Sequence, residues 1–93
     1  MARPTKEQLE KDIELVCISI SHDLRAEIMR ALRNPRLNKK MIAARAGMSQ
    51  AHLSVYINKT NGSINVSTLV RLALAIDRLP VLSFTAYDKP IAS

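Results

Sequence analysis

Leu9, Ile13, Val16, Cys17 and Ile20 recur at spacings of four, three, one and three residues, the stripe of an amphipathic helix. Its start is legible in "TKEQ", where Thr5 can cap the first turn and Gln8 can reach back to close a capping box. "SISHD", Ser19 to Asp23, then interrupts the good helix formers with residues that compete for local backbone hydrogen bonds. We therefore expect a break near Ser21, with Ser21 as a new N-cap and Leu24, Ile28, Ala31 and Leu32 on the next inward face. No Gly or Pro separates the two runs, which leaves one long, bent helix as the alternative.

Asn34-Pro35 ends that segment, because a residue preceding proline is pushed out of the helical region. Asn38 can cap a helix from Lys39 to Ala46 that carries Ile42, Ala43 and Ala46 inward. Ser49 can cap another, to about Asn58, with Leu53 and Ile57 buried. "NKTNGSIN", Asn58 to Asn65, is turn chemistry; its flanks have helical spacing, so it reads as a helix-to-helix loop rather than a hairpin. Asn65 can cap Val66 to Asp77, with Val66, Leu69, Leu72, Ala73 and Ile76 facing inward, and Pro80 stops that helix. Beyond it the period changes. Leu82, Phe84 and Ala86 alternate with Val81, Ser83, Thr85 and Tyr87, which predicts a short strand in need of a partner edge.

Gly47 is one of only two glycines, and it falls where a helix ending at Ala46 needs a left-handed residue. Ser49 restarts helix almost at once, so the two helices should meet at a steep angle. Small Ala43, then Gly47, then Leu53 at the joint is a helix-turn-helix spacing.

At these residues the chain resembles a known family. "LNKKMIAARAGMSQAHLS" and "VSTLVRLALAI" are similar to the phage-repressor and Cro-like helix-turn-helix domain, the XRE family, over roughly Leu24 to Leu79. The resemblance implies an all-α fold: a five-helix repressor-like domain, here with an extra N-terminal helix and a short C-terminal β-strand used in dimerisation. The corresponding parts are residues 1–20, 21–79 and 80–93. It also implies operator DNA as ligand, usually bound by a dimer. Where the family often has glutamine against a phosphate, this chain has Lys39, which keeps a positive charge without the amide geometry. The loop after the second helix, "KTNGSIN", also departs from the common family pattern.

Composition supports a folded helical domain: 47% of the 93 residues are hydrophobic and only three are aromatic, so the core is aliphatic. Fourteen Lys and Arg against eight Asp and Glu give a net charge of +6. Placement makes that charge informative. Arg30, Arg33, Arg36, Lys39 and Lys40 fall in one run without an acid, and none lies between Lys39 and Thr60. The acids are Glu7, Glu10, Asp12, Glu14, Asp23, Glu27, Asp77 and Asp88. A basic stretch around a helix-turn-helix spacing points to phosphate. Cys17 is the only cysteine and His22 and His52 stand far apart, so neither a disulfide nor a metal site is expected. The adjacent Ser, His and Asp of "SHD" point to different helix faces and cannot form a triad; we expect neither an enzyme nor a cofactor. The charged start and the lack of a long apolar run predict no leader or membrane span, and a reducing cytoplasm fits.

Residue by residue, the second helix of the pair is expected in the major groove. Gln50 can pair bidentately with adenine, Ala51 and Val55 can meet thymine methyls if exposed, and Ser54 can add a polar contact. Val55 has a core position as its alternative, and Tyr56 can either donate to phosphate or cover the joint. Backbone contacts are expected from Asn38, Lys39, Lys40, Arg45, Ser49, His52, Asn58, Lys59 and Asn61. The stripe Leu9, Ile13, Val16 and Ile20, with Val81, Leu82, Phe84 and Tyr87, is expected to form a homodimer interface matching a pseudo-palindromic operator. The expected function is a transcriptional regulator, a repressor before an activator. The alternative is an antitoxin-like component that neutralises a partner toxin and regulates its own promoter. An antirepressor that binds no DNA is a third possibility.

Overall fold

A computed structural model describes residues 3–58 and 64–91. Among them the chain is all-α, with four helices: α1 (Lys6–Ala31), α2 (Lys39–Ala46), α3 (Gln50–Asn58) and α4 (Val66–Ala75). The four do not make up the expected five-helix domain with an added helix and strand.

The expected break at Ser21 is absent. α1 runs unbroken for 26 residues, straight through the boundary expected at residue 20. Ser19, Ser21 and Asp23 each cost a helix only tenths of a kcal/mol, on the order of their intrinsic propensities. Continuous i→i−4 bonding outweighs that when no Gly or Pro intervenes. The N-terminal capping box is formed as the spacing predicts. The Gln8 N–H donates to Thr5 Oγ1 (3.2 Å) and the Thr5 N–H to Gln8 Oε1 (2.9 Å).

Only the C-terminal half of α1 enters the main core. Leu24 and Ile28 pack with Ile42, Ala43 and Ala46 of α2, Leu53 and Ile57 of α3, and Leu72, Ala75 and Ile76. α4 packs on α2 and α1, and α3 lies against α2 and α1. The first half of α1 projects from this cluster, which gives the chain its 51 × 23 × 21 Å extents.

Gly47 ends α2 as its position predicts, at φ 71° and ψ 35°. The Met48 N–H donates to Ala43 O (3.0 Å) and the Gly47 N–H to Ala44 O (3.2 Å), the paired bonds of a Schellman motif. Asp77 plays the same part after α4 at φ 60°, with the Arg78 N–H on Ala73 O (2.8 Å). Gly47→Ala should destabilise the domain by about 1 kcal/mol, because a Cβ is strained in the left-handed region. That Cβ would sit 3.3 Å from an Arg71 guanidinium nitrogen, a flexible end that can move aside. Urea unfolding should show the lowered midpoint; an unchanged midpoint would mean that the turn tolerates another geometry.

The predicted C-terminal strand is not formed. Residues 78–89 carry no regular structure, because the described part of one chain offers no free edge to pair with. The tail is nevertheless anchored. The Tyr87 hydroxyl donates to Asp12 Oδ2 at 2.6 Å, and the Ile91 backbone N–H donates to the same oxygen at 3.0 Å. Asp12 is only 3% exposed, the one buried charged residue among those described.

This anchor has an alkaline limit. The Asp12 carboxylate accepting its hydroxyl hydrogen, with desolvation and charge repulsion added, raises the Tyr87 phenol above the ordinary 10.0. A raised folded value means the bond's contribution is intact below about pH 10 and is lost as pH climbs through the folded value. Asp88, Lys89 and Cys17 line the same groove and also carry titratable groups. Subtracting the ultraviolet phenolate titration of a Tyr87→Phe variant should therefore reveal one tyrosine ionising later than a free phenol. An ordinary midpoint would contradict the bond.

Candidate nucleic-acid interface

α3 is positioned by its inner side. Leu53 and Ile57, four residues apart, are buried in the core, so the residues opposite must face outward. Gln50, Ala51, Val55 and Asn58 are exposed and Ser54 is half-buried. These five share one side of the helix by spacing. Val55 is 43% exposed, so its core alternative falls away.

Local hydrogen bonds set up the helix start. Ser49 Oγ accepts the His52 N–H at 3.0 Å, which caps α3. The Ser54 hydroxyl donates back to Gln50 O at 3.1 Å, leaving its lone pairs as the outward polar feature. Gln50 itself is an exposed amide in the first turn. His52 and Tyr56 contact each other on a second side of the helix, with ring centres 5.2 Å apart and planes tilted by 40°. Tyr56 is half-buried and packed on the core, so its ring covers the joint.

α3 packs against α2, whose first turn carries the remaining expected polar residues. Asn38 Oδ1 accepts the Met41 N–H at 2.9 Å, which leaves its NH₂ group outward, and Lys39 and Lys40 are exposed. Neither first turn, of α2 or of α3, contains an acid. Arg33, Arg36, Lys39 and Lys40 form no ion pair among the described residues, unlike Arg30, which is held 2.7 Å from Glu27. Asn38, Lys39, Lys40, Ser49, Gln50, Ala51, His52, Ser54, Val55 and Asn58 thus lie on two adjoining helices. Lys59 and Asn61 lie outside the described residues.

Arg45 is placed differently from the other expected backbone contacts. It donates to Ala75 O at 3.2 Å and lies 3.8 Å from Asp77 Oδ2, so it ties α2 to the end of α4. Arg78 ties that same end to α1 through Glu27 at 3.2 Å. Charge and spacing gave no hint of either tie, because both depend on how α4 docks. Asp12 also escaped the sequence reading, although a signal was there. It sits three residues from Leu9 and four from Val16, a carboxylate inside an apolar stripe.

Among the described residues no cluster of His, Cys, Asp and Glu could hold a metal ion, and no helix is long and apolar enough to cross a membrane. Comparison with known protein families, characterised proteins and solved structures gave no match.

Proposed function

We propose that this protein is a homodimeric, sequence-specific double-stranded DNA-binding regulator that acts as a repressor by occupying its operator. The observation that carries this reading is the acid-free outer side of α3, packed on a helix, α2, whose first turn is also free of acids. Gln50, Ala51, Ser54 and Val55 supply one amide, one hydroxyl and two apolar contacts, a mixture suited to base edges in the major groove. Asn38, Lys39, Lys40, Ser49, His52 and Asn58 flank them and suit phosphate. Arg45 is left out of this set, because it is engaged with α4. The resemblance of "IAARAGMSQAHLS" to phage-repressor and Cro-like domains supports the same assignment. So does the distribution of charge: Glu7, Glu10, Asp12 and Glu14 lie on the projecting half of α1, away from the basic segment.

Selection of bound sequences from random duplexes should return a pseudo-palindrome, with half-sites about one helical turn (~34 Å) apart or a multiple of that. On that site Gln50→Ala should cost about 1–3 kcal/mol and relax preference at one position per half-site, with little change on random DNA. Lys39→Ala should instead weaken every duplex and flatten the salt slope. Equal losses on selected and random DNA from both variants would contradict this division of labour. A second reading, a component that neutralises a partner protein and regulates its own promoter, draws on the apolar surface at the far end of α1. A toxin or co-regulator that co-purifies and needs that surface would favour it.

A further inference from the structure

We infer that Asp12 holds the segment from Leu79 to Ile91 as a dimerisation arm, and that a second copy of this chain covers the surface so built. The inference rests on the assembly half of the function proposed above and not on its DNA half. The arm has two parts. At its far end Tyr87 and Ile91 both donate to one oxygen of a carboxylate buried on α1. Before that anchor, Val81 and Phe84 are each 87% exposed, and Leu79 and Leu82 are each 78% exposed. Among the described residues the backbone of 79–86 makes no backbone-to-backbone hydrogen bond. Such a segment is held at its end and left open along its length.

The occupant follows from area, charge and pairing. With the exposed stripe of α1, the arm leaves on the order of 1,000 Å² of apolar surface open, where a typical monomer's largest patch is ~300–600 Å². A standard interface covers ~800 Å² per partner, so the surface is large enough for a stable dimer. Glu7, Glu10 and Glu14 outnumber Lys6 and Lys11 along this half of α1, where Lys11 is already paired with Glu7, which disfavours a polyanion as the occupant. An extended segment with alternating apolar residues and open backbone groups pairs readily with its own twofold mate, since one sequence then serves both edges. Asp12 contributes by fixing where the arm lies on α1. Without that anchor the segment would sample many positions, and ordering it would oppose association. Asp12 is thus a positioning residue, and the apolar side chains form the contact.

The test uses the full chain without DNA. Sedimentation equilibrium should give a dimer for the native sequence. Phe84→Ser should weaken association at least tenfold, and it cannot unfold the protein by opening the core, because Phe84 is outside it. Asp12→Ala should weaken association by a similar factor while far-ultraviolet circular dichroism stays helical. Cys17 lines the groove beneath the arm, so its alkylation should slow as native protein is concentrated and stay fast in both variants. A native dimer that neither substitution loosens would place the interface elsewhere and overturn the inference. A native chain that stays monomeric at high micromolar concentration would also overturn it, and would leave the surface to a protein of different sequence. A dimer that responds as expected but binds no duplex would leave this inference standing and sink the DNA reading instead.

Discussion

Raising monovalent salt from about 50 to about 200 mM should weaken duplex binding roughly a thousandfold, the largest effect expected for this protein. Each phosphate neutralised by Lys or Arg releases condensed counterions, so the slope of log affinity against log salt counts those contacts. The structure narrows the count. Arg30 and Arg78 share Glu27, and Arg45 donates to Ala75 O and lies near Asp77, so part of the charge of these three is already balanced. Arg33, Arg36, Lys39 and Lys40 carry no such partner among the described residues. With about three of them on phosphate in each protomer, a dimer makes roughly six contacts, the number behind the thousandfold loss. Lys39→Ala should then reduce the slope by about two for a dimer, one per protomer. Fluorescence anisotropy at four or five salt concentrations is sufficient. A slope near zero would show that the basic segment does not meet phosphate.

Leu53→Ala should destabilise the domain by about 2–5 kcal/mol, the usual range for removing a buried leucine side chain. Leu53 is fully buried, and with Ile57 it is what holds α3 to the rest of the fold. α3 has nine residues, too few to be helical alone in water, so its order comes from packing. Single domains are stable by only about 5–15 kcal/mol, and each kcal/mol shifts the Tm of a domain this size by about 4–8 °C. The variant should therefore melt at least about 8 °C lower, or fail to fold, and lose DNA binding in proportion. Val55→Ala is the matched control on the outer side of the same helix. It should leave stability within about 0.5 kcal/mol, as exposed positions usually do, while weakening the selected duplex. Equal melting losses from the two would mean that α3 is turned the other way.

The local punctuation of this fold was legible because its causes are local. Thr5, Asn38, Ser49 and Asn65 each cap a helix through their own side chain, accepting the N–H three residues on. Gly47 takes the left-handed backbone that its place between two helical runs requires. The inward positions Ile42, Ala43, Ala46, Leu53, Ile57, Leu72 and Ile76 are all buried, since periodicity reports which side of a helix faces apolar neighbours. Val66 was expected inward and is 74% exposed; as the first residue of α4 it sits where the helix extends past the core.

The break expected at Ser21 and the strand expected after Pro80 failed for different reasons. Helix-disfavouring residues lower a helix's stability by small amounts, and whether they end it depends on competing structure that no neighbour supplies here. An alternating pattern reports a tendency to extend, but a strand exists only once a second edge bonds to it. The extended tendency of 81–87 was thus readable, and its pairing was not.

What the amino-acid sequence determined by itself is therefore where helices start and stop, which side of each is apolar, and where positive charge is concentrated, because these depend on residues within a few positions of one another. What only the tertiary structure decided is which charges remain open and what the tail does. Arg45 reaches Ala75 across thirty residues, and Asp12 meets Tyr87 across seventy-five. Hydrogen bonds of that kind depend on how distant helices dock, and no local spacing encodes the distance between them.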